Sequence, residues 1–138
     1  MNLAFKHTSS VRVRYGETDQ MGYCYYGNYA QFFEIGRVEA LRSIGMSYKE
    51  MEASGIMLPV GEFSVKYLKP ALYDDLLTIV TTIVELRGAV LCFDYELYNE
   101  NKDLVATAKT TLIFVDKNSM KPRKAPDQFM NLIQAYIV

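Results

Sequence analysis

Between residues 56 and 116 the chain strings together four segments rich in Val, Ile, Thr, Tyr and Phe, separated by turn-forming clusters, and this run constrains the fold more than any other feature. β-branched and aromatic side chains suit a pleated, half-buried surface. The segments cover residues 56–69, 76–86, 89–99 and 104–116. Residues 70–75, which begin at Pro70 and end at Asp74-Asp75, join the first two. Arg87-Gly88 makes a tight reversal, and residues 99–103 make another. Strands joined this closely run antiparallel, so the spacing predicts a meander.

Ahead of the meander, residues 9–15 alternate, with Val11, Val13 and Tyr15 on one face and Arg12 and Arg14 on the other. Residues 28–44 repeat apolar positions at steps of three and four through Tyr29, Phe33, Gly36, Ala40 and Ile44, leaving Glu34, Arg37, Glu39 and Arg42 for a wetter face. Gly45 suits the position just past a helix end. Ser47 and Glu50 have capping-box spacing and open a short helix that Gly55 closes. Residues 127–136 regain helical spacing, with Phe129, Leu132, Ile133 and Tyr136 on one side. Five strands and one long apolar helix satisfy each other if the sheet curls around the helix, which is an α+β wrap. Val80, Ile113 and Val115 then fall on the outer face and favour assembly into dimers or larger oligomers.

With 138 residues the chain suits one domain, residues 1–138. A formal net charge of −1 offers no overall attraction for nucleic acid, although a local basic cluster could hold a small anion. The two cysteines, Cys24 and Cys92, have no metal-ligand spacing and no secretory segment ahead of them, which points to a reduced, cytoplasmic setting. No apolar run approaches the roughly 18 residues a membrane helix needs. The expectation is a soluble protein that binds no metal.

Chemistry concentrates between Arg12 and Tyr29, where one acid, Asp19, falls between the alternating strand and the long helix. A carboxylate there can act chemically, because backbone N–H groups at a helix start are free to polarise a carbonyl; it can equally be a cap or a turn residue. His7 is the only histidine and falls in a segment expected to be mobile, so a histidine-based triad has little support. Cys24, flanked by Tyr23, Tyr25 and Tyr26, reads as a small packing residue more readily than as a thiolate nucleophile. The aromatic cluster of Tyr23, Tyr25, Tyr26, Tyr29, Phe32 and Phe33 can fill a core or line an acyl pocket. Lys66, Lys69, Arg87, Lys109, Arg123 and Lys124 are either a solvated surface or a phosphate mouth.

Thr18-Asp19-Gln20-Met21-Gly22, followed by Tyr25-Tyr26-Gly27-Asn28-Tyr29 and a helix carrying Phe33-Glu34, Arg37 and Glu39, resembles the 4-hydroxybenzoyl-CoA thioesterase family of hotdog-fold proteins. Residues 63–75 resemble that family's next strand and turn, residues 112–116 its closing strand, and the likeness runs over about residues 8 to 126. The resemblance implies a curved antiparallel sheet of about five strands around one long helix, assembly as a homodimer or homotetramer, and active sites between subunits. It implies that Asp19 attacks a thioester carbonyl or activates water, and that the backbone N–H at Tyr26 polarises the thioester oxygen. Many relatives carry histidine where this chain has Tyr26, which keeps the backbone donor and removes the side-chain aid.

Substrate contacts implied by the likeness fall at Gly22 and Tyr25 in the loop and at Tyr67, Arg87 and Gly88, along which the coenzyme A pantetheine would lie. The function so implied is hydrolysis of an acyl- or aryl-CoA to free acid and CoA, with no cofactor beyond the CoA of the substrate itself. A non-catalytic module that binds acyl-CoA or acyl-carrier protein is the alternative. A hydroxyacyl dehydratase, which shares the fold, normally needs a histidine that the helix region lacks.

Overall fold

The computed structural model describes residues 1–138. Strand β1 spans Asn2–Arg12, seven residues earlier in its start than the alternation from Ser9 suggests. Its first half alternates too, with Leu3 and Phe5 buried and Ala4 and Lys6 exposed, so His7 lies inside a strand opposite Thr81 and not in a mobile end. Val13 is buried and extends the pairing by exchanging backbone hydrogen bonds with residues 74 and 75. The chain then coils into a 3-10 turn at Tyr15–Glu17, which lifts Tyr15 out of the expected strand face into solvent.

Helix α1 spans Tyr29–Ile44 and buries Tyr29, Phe32, Phe33, Gly36, Arg37, Ala40, Leu41 and Ile44. Each large apolar side chain so buried contributes about 1.5–3 kcal/mol. Gly45 ends the helix at φ 109°, with its own N–H bonded to the Arg42 carbonyl and the Met46 N–H to the Leu41 carbonyl, a Schellman closure. Arg37 departs from its expected place on the wet face: its guanidinium is buried beside the hydroxyls of Tyr48 and Tyr95. Burial works against its charge, but the two phenols outweigh that and hold its pKa above the ordinary value. Helix α2 spans Tyr48–Ala53, capped by Ser47, whose hydroxyl accepts the Glu50 N–H at 3.1 Å.

The expected strand over residues 56–69 is two strands, β2 at Ile56–Met57 and β3 at Val60–Tyr67. Pro59 between them has no N–H to give to a ladder; it offers only its carbonyl, to the Ile113 N–H. Then follow β4 at Leu76–Arg87, β5 at Val90–Tyr98, β6 at Leu104–Ile113 and a short β7 at Val115–Asp116 that pairs with β2. That pairing buries Val115, which therefore does not lie on the expected outer face; Val80 and Ile113 are half-buried. Helix α3 spans Asp127–Ile133 and passes into a 3-10 turn at Gln134–Tyr136; Phe129 packs on Phe114, with ring centroids 5.6 Å apart.

The main sheet has the order β1-β4-β5-β6-β3, antiparallel throughout. Only β4, β5 and β6 form the expected meander. The short link of residues 70–75 does not make β3 and β4 neighbours; it carries the chain across the end of the sheet, from one edge to a strand beside the other. The inner face of the sheet, with Leu77, Ile79 and Ile83 on β4 and Leu91, Phe93, Tyr95 and Leu97 on β5, is fully buried under α1. Gly36 permits the closest approach: a Cβ there would lie 2.5 Å from Thr81 Oγ1 and 2.8 Å from Ile79 Cγ2. No helix is long and apolar enough to cross a membrane.

Candidate active site

The segment from Arg14 to Tyr29 closes on itself before it becomes α1. Glu17 is buried, and its carboxylate accepts the Arg14 backbone N–H at 2.7 Å while pairing with the Arg14 guanidinium at 3.2 Å. The carbonyl of Glu17 takes two donors from farther along the loop, the Tyr25 N–H at 2.8 Å and Asn28 Nδ2 at 2.9 Å. The crossing segment holds the loop from the other side, where the Cys24 N–H donates to the Ala71 carbonyl at 2.7 Å and Tyr23 bridges to Leu72. Tyr29 adds a third tie, its hydroxyl accepting the Ala71 N–H; burial pushes that phenol up to about 12, so it stays neutral.

Asp19 sits at the turn of this loop and caps no helix. Its Oδ1 accepts the N–H of Met21 at 2.9 Å and of Tyr23 at 3.3 Å, and its own N–H donates to the Tyr23 carbonyl. Gly22, at φ 79°, lets the turn close. The second carboxylate oxygen, Oδ2, has no hydrogen-bond partner in the protein. At the other end of the loop, residues 26–28 form a 3-10 turn that leads into α1. The N–H groups of Tyr26 and Gly27 donate to no protein acceptor. First-turn N–H groups of this kind are ready to bind a negatively charged oxygen.

Asp19 and Tyr26 line one open cavity of about 340 Å³, together with Met21, Tyr29, Tyr67 and Lys69. Its size falls within the range of small-ligand sites. Tyr67, the last residue of β3, donates its hydroxyl to the Tyr26 carbonyl at 3.0 Å. Tyr25 packs against Tyr26 with the rings tilted and their centroids 4.7 Å apart but does not line the cavity, and Gly22 shapes the loop without lining it. Arg87 and Gly88 lie elsewhere. By strand register Tyr67 is level with Ile79 on β4, so Arg87 stands eight residues farther along, about 26 Å away along the strand direction, at the opposite end of the sheet. Arg87 there pairs with Glu85 at 2.8 Å. A larger groove crosses the outer sheet face past Lys6, Asp94, Glu96 and Lys109, and neither the Asp19 loop nor Tyr67, Arg87 or Gly88 reaches it.

Of the cations considered, Lys69 is at the cavity, tied to Asp103 at 3.3 Å; Lys66 and Lys109 face the outer groove. Glu17 and Asn28 flank the motif in sequence, but nothing in their spacing shows that the Glu17 carbonyl and the Asn28 side chain close the loop. A Glu following the strand and an Asn just before the helix were the only signals available, and neither spacing is specific. Cys24 also lines the cavity, but it is buried, and burial first, then the charges of Glu17 and Asp19, push its thiol up to about 11. At pH 8 roughly one molecule in a thousand then carries thiolate. Replacing Cys24 with Ala is expected to leave turnover within about twofold of the parent; a loss of a hundredfold in a steady-state assay would restore the thiol to the chemistry.

Residues 13–133 match the model of the thioesterase-like superfamily. The chain belongs to that superfamily. This thioesterase-like protein is 35% identical over 126 residues to YneP of Bacillus subtilis, provisionally named an acyl-CoA thioesterase, with 91% of each chain covered. It is 36% identical over 116 residues to the acyl-CoA thioester hydrolase YbgC of Escherichia coli O157:H7, covering 84% of this chain and 87% of that one. The solved DHNA-CoA thioesterase of Staphylococcus aureus superposes with a TM-score of 0.89 at 31% identity, covering 92% and 87% of the two chains. The wrap of a long helix in an antiparallel sheet is therefore the hotdog fold that the resemblance implies.

Proposed function

We propose that this protein hydrolyses acyl-CoA thioesters to the free acid and CoA, with Asp19 as the reacting carboxylate and the Tyr26 N–H as the oxyanion donor. The observation that carries the reading is the pairing, at one cavity, of a carboxylate with one oxygen fixed by two N–H groups and the other unpartnered, and a helix-start N–H with no acceptor. The names of the relatives support the substrate class.

In one route Asp19 takes a proton from water as the water oxygen bonds to the thioester carbon. In the other, Asp19 bonds to that carbon itself, and water later cleaves the resulting anhydride. Either way negative charge develops on the carbonyl oxygen, where a preorganised N–H stabilises it, and the C–S bond breaks to release CoA as thiolate. Without histidine near the cavity, the carboxylate itself carries the proton or the covalent bond.

The second part of the proposal is that the active unit is a homodimer joined through β3. That strand is an edge of the sheet, and seven of its eight residues are exposed, including Val60, Phe63 and Tyr67. The opposite edge is partly covered, since Leu3 bridges to Ile137 and the Val138 N–H donates to the Asn2 carbonyl. An open apolar edge is a template for pairing with another strand. Antiparallel pairing of two β3 strands about a two-fold axis reverses the second sheet end for end. Its Arg87-Gly88 turn then comes to the same end as the first copy's Asp19, which would bring Arg87 and Gly88 toward the pantetheine of a substrate bound there.

Free-thiol release from a panel of short, long, branched and aromatic acyl-CoA thioesters tests the activity. Release from at least one of them, at rates well above the uncatalysed reaction, is expected. Tight binding of a non-hydrolysable acyl-CoA analogue with no release from any member would turn the assignment to a binding module.

A further inference from the structure

Tyr67 meets the loop at a place that pocket lining alone does not explain. Its hydroxyl does not point a free donor into the cavity; it is spent on the carbonyl of Tyr26. The same carbonyl also accepts the Tyr29 N–H. A carbonyl with two hydrogen bonds is fixed in direction, and its amide is polarised, with electron density drawn toward oxygen and away from nitrogen. The nitrogen of that amide is Gly27, whose N–H has no acceptor. The neighbouring Tyr26 N–H, in the preceding peptide, has none either.

Aromatic packing holds Tyr67 for this task. Its ring stands edge-on to Tyr29, with centroids 4.8 Å apart, and to Tyr26 at 6.3 Å. The Tyr25 ring occupies the space a Gly27 side chain would need, 2.7 Å from where its Cβ would be. The peptide between residues 26 and 27 is thus fixed from β3, from α1 and from the loop itself.

We infer that Tyr67 is a positioning residue for the oxyanion site: through the Tyr26 carbonyl it orients and polarises the Gly27 N–H, which joins the Tyr26 N–H in stabilising the charged oxygen. The inference rests on the thioester-hydrolase reading above. It differs from a substrate-contact role for Tyr67 in what it does to kinetics, because a donor that strengthens only against developing charge acts on kcat and leaves ground-state binding alone.

The test is Tyr67→Phe in the full chain, which keeps the ring and removes the hydroxyl. The expected result is a fall in kcat of about tenfold with KM within twofold, an unchanged Kd for a non-hydrolysable acyl-CoA thioether, and an unchanged unfolding midpoint. A raised KM with kcat preserved means that Tyr67 touches substrate and overturns the inference, as do unchanged values of both. Installing 3-fluorotyrosine at position 67 gives a second readout that keeps both ring and donor. Its more acidic phenol should bring the alkaline decline of kcat to lower pH without altering KM, and an unmoved profile overturns the inference. If the parent protein itself releases no thiol from any thioester, the hydrolase reading fails and the inference falls with it; an active parent with an unaffected Tyr67→Phe variant overturns the inference alone.

Discussion

Asp19→Asn is expected to lower kcat for acyl-CoA hydrolysis by about a thousandfold, the scale on which a group engaged at the reacting centre is felt. The substitution separates chemistry from shape. The turn uses Oδ1 as an acceptor for the Met21 and Tyr23 N–H groups, and an asparagine carbonyl oxygen can take both bonds. What is lost is the negative charge and the second oxygen, the part that has no partner in the protein. KM and the unfolding midpoint should therefore stay near the parent values while turnover collapses. Asp19→Ala should add a structural defect, since the turn then loses its acceptor. Steady-state rates and thermal unfolding of both variants check this; turnover of the Asn variant within a few-fold of the parent would remove Asp19 from the mechanism.

The second large effect is on stability. Gly36 lies in the middle of α1, where helix propensity alone says that alanine should be better by up to about 1 kcal/mol. Packing says the opposite. The added methyl would sit 2.5 Å from Thr81 Oγ1 and 2.8 Å from Ile79 Cγ2, and both side chains are completely buried, so neither can swing into solvent. Overpacking of this kind typically costs 1–3 kcal/mol, and Gly36→Ala is expected to lose about 2 kcal/mol in urea unfolding. Thr81 offers an internal control, because its hydroxyl is buried without a hydrogen-bond partner. Thr81→Ala alone should be mild, and combined with Gly36→Ala it should recover part of the loss, giving a non-additive cycle. A Gly36→Ala protein more stable than the parent would mean that α1 can lift from the sheet without penalty.

Much of this architecture was legible because its signals are local. The long helix, its glycine stop and the Ser47 cap are written within a few residues of where they act, and the strands carry their own composition. Pairing was less legible. The six-residue link at residues 70–75 looks like a hairpin turn by length, and only the tertiary fold shows it crossing the sheet. Pro59 and Phe114 each divide a segment that composition alone reads as one strand. The places of His7 and Arg37 are not legible, because polar side chains carry no local mark of burial; what surrounds them lies on other strands and helices.

At the site, the motif around Asp19 could be recognised from neighbours in sequence, yet its geometry could not. Asp19 precedes α1 by ten residues and bonds within its own turn, whereas spacing had suggested a helix cap as readily. The free N–H groups at Tyr26 and Gly27, and the hydroxyl that braces them from β3, depend on contacts 41 residues apart. Arg87 and Gly88 show the converse limit, since one chain places them at the far end of the sheet.

The crossing segment at residues 70–75 has a consequence for how the protein reaches its working form. Ala71 and Leu72 clasp the Asp19 loop, and their place is set by β3 at one edge of the sheet and β4 beside β1 at the other. The loop is therefore not a cassette that could be cut out and grafted; its shape belongs to the closed sheet. During refolding the chain would gain most of its helix and strand signal before any competent site exists, so activity would be the last property to return.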